Sequence, residues 1–157
     1  MQQQETMTLT SDAFAPGSPI PRVHATAKAG GNDESVPLRW SGEPSGTASF
    51  AIEVVDLDAG LWVHWLVVGI PADVDELGAG ASRGGMPPGA HELENTFGER
   101  GWGGPQPPAG QHRYRFTVYA LDVAGLDVPD DIGVEDFRAA LEPHLLASAS
   151  TWGTYRR

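Results

Sequence analysis

Residues 50–70 read Phe50-Ala-Ile52-Glu-Val54-Val-Asp56-Leu-Asp58-Ala-Gly60-Leu-Trp62-Val-His64-Trp-Leu66-Val-Val68-Gly-Ile70. In the first half, Phe50, Ile52 and Val54 alternate with Ala51, Glu53 and Val55, the period of two expected of a half-buried strand. After a tight turn at residues 56–60 the second half is apolar at both parities except for one histidine. A strand covered on both faces has that pattern, and it predicts a central place in its sheet. A helix of the same length competes. The aromatic and β-branched content and the bounding Gly60 and Pro71 favour the strand.

Working outward, Tyr114-Arg-Phe-Thr-Val-Tyr-Ala-Leu121 is a third clear strand. From Val134 onward, Phe137, Leu141 and Leu145 recur at the spacing of one helix face, and Pro143 kinks or ends that helix. The tail from Thr151 to Arg157 reads as a last edge strand. Residues 14–21 and 36–40 read as short edge strands among turns. Residues 1–12 are polar and read as a frayed terminus, leaving 13–157 as a single domain. Between 71 and 112 no period is sustained, and residues 101–110 are nearly all Gly and Pro. An ordered loop of that kind is usually functional.

Composition agrees. With 20 Gly and 13 Pro in 157 residues, the two make up about a fifth of the chain, against about 12% in average usage. Hydrophobic residues still reach 40%, so a loop-rich, mainly β domain fits, and a helical bundle or disordered tail does not. There is no cysteine, which excludes disulfides, thiolate metal sites and thiol catalysis. Ten basic against 21 acidic residues give a net charge of −11. Such a chain repels nucleic acid and anionic membranes at long range. The first ten residues have no signal-peptide character, and no run is long enough to span a membrane. The expectation is a soluble cytoplasmic protein.

Four polar features stand where strands meet loops. Asp56 continues the parity of Phe50, Ile52 and Val54, so its carboxylate overlies the core and needs a partner. The alternative is an Asp turn capping its own backbone. His64 shares parity with Trp62, Leu66 and Val68 in the most apolar strand, as a ligand-facing residue or a hydrogen-bonded core histidine. His112 and Tyr114, two apart, share a face of the third strand, although a surface histidine at a strand entry reads the same way. The Gly/Pro loop is either a bland rigid connection or a source of backbone N–H donors for a ligand. Together these supply an acid, two imidazoles, a phenol and backbone donors, a set suited to phosphate or another oxyanion. A metal held by Asp56, His64 and His112 is chemically possible, but no pair has a diagnostic spacing. Residues 91–94, His-Glu-Leu-Glu, lack the second histidine of a zinc-protease helix. Gly42-Glu-Pro-Ser-Gly is neither a nucleophile elbow nor a phosphate loop.

In order along the chain, these motifs resemble the phosphatidylethanolamine-binding protein family, in its bacterial Raf kinase inhibitor-like branch. Asp56-Leu-Asp58-Ala is similar to the family's Asp-Pro-Asp-Ala-Pro element and Trp62-Val-His64-Trp65 to its Trp-x-His segment. The run from Gly103 through Gly110 to His112-Arg113-Tyr114 is similar to its Gly-x-His-Arg signature. Phe14, Gly17, Ile20-Pro21, Pro37-Leu-Arg-Trp40 and Gly153-Thr-Tyr155 extend the likeness to nearly the whole chain from Phe14. The resemblance implies a β-sandwich with Greek-key connections and one or two peripheral helices. It implies a non-enzymatic binding protein, without cofactor or metal, whose pocket takes phosphate-bearing or carboxylate ligands such as a phosphoethanolamine head group. Asp56, His64, His112 and Tyr114 would form that pocket, with Trp62 and the backbone around Gly110 lining it. A regulatory protein partner at the rim, as for kinase or protease inhibitors, and a homodimer are further implications. Leu57, Gly60 and Gly69 depart from the family pattern and predict a reshaped pocket wall. The alternative from another class is a hydrolase of small phosphoesters or esters in which a histidine acts as general base beside Asp56.

Overall fold

A computed structural model describes residues 7–157. Eight strands form two antiparallel sheets. β1 (Thr8–Thr10), β2 (Leu38–Ser41) and β5 (Glu76–Leu77) make a three-stranded sheet in the order β1-β2-β5. β3 (Ser49–Asp56), β4 (Trp62–Pro71), β6 (His91–Glu92), β7 (Gln111–Leu121) and β8 (Leu145–Arg156) make the larger one, in the order β6-β4-β3-β7-β8. One helix, α1 (Val134–Leu141), lies in the connection from β7 to β8.

The alternation read in the sequence sorts the large sheet into two faces. Phe50, Ile52 and Val54 of β3 join Trp65, Val67, Phe116 and Val118 in a core shared with Leu9, Leu38, Trp40 and Leu77 of the small sheet. Ala51 and Val55 face the other way, with Val63, Leu66 and Val68, against Phe137 and Leu141 of α1. Both faces of β4 are therefore covered, as its unbroken apolar run predicts. Its neighbour on one side is only the two-residue β6, however, and β3 is the middle strand instead. The helix is tied down by a buried ion pair. Arg138 donates from Nε and Nη2 to the Glu53 carboxylate, both at 2.8 Å, and Glu53 has no solvent exposure.

Two irregularities interrupt the ladder of β4. Val54 pairs with Trp65 but Val55 pairs with Val63, so His64 is an extra residue on its strand, a β-bulge. His64 therefore does not share a face with Leu66 and Val68, as unbroken parity predicts. The bulge turns His64 and Trp65 toward the same core, while Leu66 and Val68 face the helix. A second register shift lies beside Gly69, whose φ is +73°. A Cβ there would sit 2.6 Å from the Gly89 carbonyl oxygen.

Several expectations need correcting. Residues 7–12 are not frayed: Leu9 is buried and pairs with Trp40, because Met7 and Leu9 supply the apolar anchors that a polar composition hides. The rest of that expectation, residues 1–6, lies outside the described residues. Residues 14–21 form no strand, apart from a single bridge from Pro19 to Thr154. They strap over the end of β8 through bonds such as Ile20 N–H to the Thr154 carbonyl at 2.7 Å. β2 is the centre of the small sheet, not an edge. The helix stops at Leu141, before Pro143, and Leu145 opens the long edge strand β8.

Candidate functional site

The site forms where β3, β4 and β7 end together beside the Gly/Pro loop. Asp56 pairs with Trp62 on one side and Tyr114 on the other, so three adjacent strands bring these residues into one row. The hairpin from β3 to β4 is closed by Gly60 and Leu61, at φ +61° and +59°, with Trp62 N–H bonded to the Ala59 carbonyl. Two positive φ values in succession mark the mirror-image turns that suit twisted hairpins.

Asp56 is 3% exposed, and its carboxylate is fully engaged. Oδ2 accepts from Nδ1 of His112 at 2.6 Å, and Oδ1 accepts from the backbone N–H of Asp58 at 2.8 Å. The two readings of Asp56, partner to an imidazole and cap of its own turn, are both realised by one side chain. Asp58 turns outward and holds Arg113 through the backbone N–H, Nε and Nη2, at 2.7, 3.1 and 2.9 Å. That guanidinium keeps the Asp58 carboxyl below its ordinary range.

His64 is fixed from the opposite wall. Its Nδ1 donates to the Gly103 carbonyl at 2.6 Å, while Gly103 N–H donates to the His64 carbonyl at 2.9 Å. Burial pushes its imidazole down to about 4, only partly opposed by the Gly103 bond and the Asp56 charge. The ring is therefore neutral at pH 7. With the proton on Nδ1, Nε2 presents a lone pair. Tyr114 lies between the two histidines, its ring 5.2 Å from that of His64 and 6.5 Å from that of His112. Its hydroxyl is buried without a hydrogen-bond partner among the described residues. Burial, then the Asp56 and Asp58 charges, raise the phenol above its ordinary range, so it stays a donor.

These groups border a cleft of about 560 Å³ lined by Asp56, Asp58, Ala59, Trp62, His64, Phe97, Gln106, Pro107, Pro108 and His112. Asp56, Trp62, His64 and His112 thus meet as the sequence reading placed them, with Tyr114 packed behind the histidines. Gly110 is not among the lining residues. It turns the chain into β7 at φ +71°, and its carbonyl accepts from Arg157 N–H.

From Gly103 to Pro108 the loop is mainly a wall. Gly103 N–H is bonded to His64, Gly104 N–H to Asp33 at 2.7 Å, and three of the next four residues are prolines without an N–H. Glycine is required at 103 and 104 by packing: a Cβ would meet Phe97 at 2.6 Å and the His24 carbonyl oxygen at 2.0 Å respectively. Phe97 is the residue the sequence hides. It sits in an aperiodic stretch, yet its ring meets Trp62 at 5.3 Å and His64 at 5.7 Å. No group of three or more His, Asp or Glu that could hold a metal occurs among the described residues.

A family model described as phosphatidylethanolamine-binding protein matches residues 10–156. The chain belongs to the phosphatidylethanolamine-binding protein family. A UPF0098 protein of Chlamydia muridarum is 39% identical over 160 residues, covering 96% of this chain and 99% of that one. A putative lipoprotein of Mycobacterium tuberculosis, LppC, is 43% identical over 140 residues, 86% of this chain and 65% of the relative. The crystal structure of Escherichia coli YbcL, described as a new member of the mammalian family, superposes with a TM-score of 0.89 at 34% identity, covering 96% and 98% of the two chains.

Within this family's pattern, the departures at 57, 60 and 69 have local explanations. Leu57 N–H donates to the Arg113 carbonyl at 2.8 Å, a bond that proline could not make. Gly60 stands at a positive φ that proline cannot adopt. Gly69 stands at another positive φ, where Gly is the residue best tolerated. The first two changes belong to one shortened turn, and Ala59 and Trp62 flanking it remain in the cleft wall.

Proposed function

We propose that this chain is a binding protein whose cleft takes a small ligand carrying a phosphate or carboxylate group, of the size of phosphoethanolamine. One observation carries the reading: His64 and His112 both commit Nδ1 to protein acceptors, leaving the Nε2 atoms of two cleft-lining rings for a ligand. The cleft volume is in the range of small-molecule sites, and its walls are mostly apolar, as such sites usually are. A protonated His112 offers Nε2–H to an anionic oxygen. The negative charges of Asp56 and Asp58 at one end attract an ammonium group on the same ligand, although both carboxylates already hold protein donors. Long-range attraction plays no part in an acidic protein, so affinity rests on these short contacts.

Among the described residues no serine or threonine lines the cleft, which supports binding over a hydrolase with a hydroxyl nucleophile. Among the same residues no helix is long and apolar enough to cross a membrane. Exposed Trp62, edge-on to Phe97, is where a protein partner at the rim would make contact. Calorimetry with phosphoethanolamine on the wild type, His64→Ala and His112→Ala tests the reading. Binding that is lost or weakened at least about tenfold in both variants supports it. Undiminished binding in both sinks it.

A further inference from the structure

The hydrogen-bond pattern around His64 restricts which anions the cleft can accept. A neutral imidazole with its proton on Nδ1 has one remaining polar atom, and that atom only accepts. His64 is held in this tautomer from two directions. Its Nδ1 donates to Gly103 at 2.6 Å, and the backbone of the same glycine bonds back to His64. Gly103 cannot move away, because Phe97, Asn95 and the Gly104–Asp33 bond surround it. The bulge leaves the ring 3% exposed, and a second proton on so buried a ring is disfavoured, in line with its lowered pKa. The charged and titratable groups that face it are Asp56, His112 and Tyr114. Asp56 has both oxygens engaged, and the other imidazole lining the cleft is that of His112.

We infer that the cleft selects ligands able to donate a hydrogen bond to His64 Nε2, so that a singly protonated phosphate is taken and sulfate is refused. The inference rests on the anion reading and sharpens it. A phosphate monoanion or phosphomonoester monoanion carries a P–OH that donates to His64, while its charged oxygens accept from protonated His112. Sulfate has the same size and shape but no proton between pH 5 and 8. Its oxygen would face the His64 lone pair, acceptor against acceptor, in a desolvated site. An unmatched buried polar contact of that kind weakens binding by about tenfold or more. A carboxylate without a further donor is disfavoured for the same reason, whereas a ligand with a hydroxyl or ammonium beside its anionic group is accepted.

The test is calorimetry of the full chain with inorganic phosphate, phosphoethanolamine and sulfate at pH 6, 7 and 8, together with nitrogen-15 NMR of the imidazoles. The expected result is a preference of at least about tenfold for both phosphates over sulfate at pH 6. Phosphate affinity falls as pH rises through the ligand's second ionisation, because the P–OH is lost. The NMR spectrum of His64 shows the neutral ring protonated on Nδ1 across this range. His64→Gln, whose amide offers a donor as well as an acceptor, narrows the phosphate preference; if that variant fails to fold, the tautomer measured on the wild type still decides. Equal affinity for phosphate and sulfate, or a His64 ring protonated on Nε2, overturns the inference and leaves the anion site standing. Failure of all three ligands to bind overturns the anion reading itself, and the inference with it.

Discussion

Removing the Asp56 carboxylate separates its structural from its chemical role. Asp56→Ala deletes two bonds to a charged acceptor, from His112 at 2.6 Å and from Asp58 N–H at 2.8 Å. Bonds of that kind are worth about 1.5–3 kcal/mol each. Two effects offset the sum. Burying the carboxylate costs several kcal/mol that the alanine avoids, and the His112 side chain is 15% exposed, so water from the cleft reaches its freed N–H. The net loss is about 1–3 kcal/mol, which in a chain of this size lowers the melting temperature by about 2–12 °C. Asp56→Asn is the sharper perturbation because it keeps the volume. An amide can accept only one of the two N–H groups. If it accepts from Asp58, its NH₂ faces His112 Nδ1, which must then give up its proton. The expected outcome is a stability loss under about 1.5 kcal/mol and an inverted His112 tautomer, with Nε2–H facing the cleft. Thermal unfolding followed by circular dichroism and nitrogen-15 NMR of His112 read the two effects. Asp56→Ala with unchanged melting, or Asp56→Asn with His112 still protonated on Nδ1, would refute the assignment of Asp56 as the group that orients this ring.

Three other outcomes are expected from the same structure. Arg138→Ala strands Glu53, which has no exposure and keeps only Tyr119 at 3.1 Å and a distant Arg115; urea unfolding at pH 7 should show a loss of about 2–4 kcal/mol. Unchanged urea unfolding in this variant contradicts the account. Because the folded His64 ring takes a proton only near pH 4 and the unfolded one near 6.5, wild-type stability falls as pH drops between those values, by about 3 kcal/mol. Denaturation midpoints that show the same acid dependence in His64→Gln would assign that loss elsewhere. Tyr114→Phe removes a buried hydroxyl without a partner among the described residues, so stability stays level or rises by up to about 1 kcal/mol; a clear stability loss would mean the hydroxyl is bonded within the fold.

What the sequence disclosed depended on how local the physics was. The alternation of Phe50, Ile52 and Val54 is a one-strand property, and it located β3 and the core face together. His112 and Tyr114 are two apart on one strand, and their rings do lie on one face. Asp56 could be read as needing a partner because its parity put a charge over the core. The His64 bulge was not legible, since an extra residue becomes visible only against the register of the neighbouring strand. Leu9 was lost in a polar segment because its burial depends on β2, some thirty residues away. The Gly/Pro loop misled in an instructive way. Composition showed that its backbone could approach a ligand closely, but the N–H groups of Gly103 and Gly104 are taken by His64 and Asp33, partners distant in the chain.

The bulge in β4 also gives one strand two reading frames. From Trp65 inward, Trp65, Leu66 and Val67 keep step with Val54, Glu53 and Ile52, as far as the second shift beside Gly69. Outward of it, Trp62 and Val63 keep a different step with Asp56 and Val55, and His64 belongs to neither count. A substitution at 64 therefore alters the cleft wall at a position that has no register partner on β3. Deleting position 64 would remove the extra residue between the Val54–Trp65 and Val55–Val63 pairs, and with it the ring that holds Gly103 in the cleft wall. Such a fold can exchange one ligand for another while its sheet goes on folding as before.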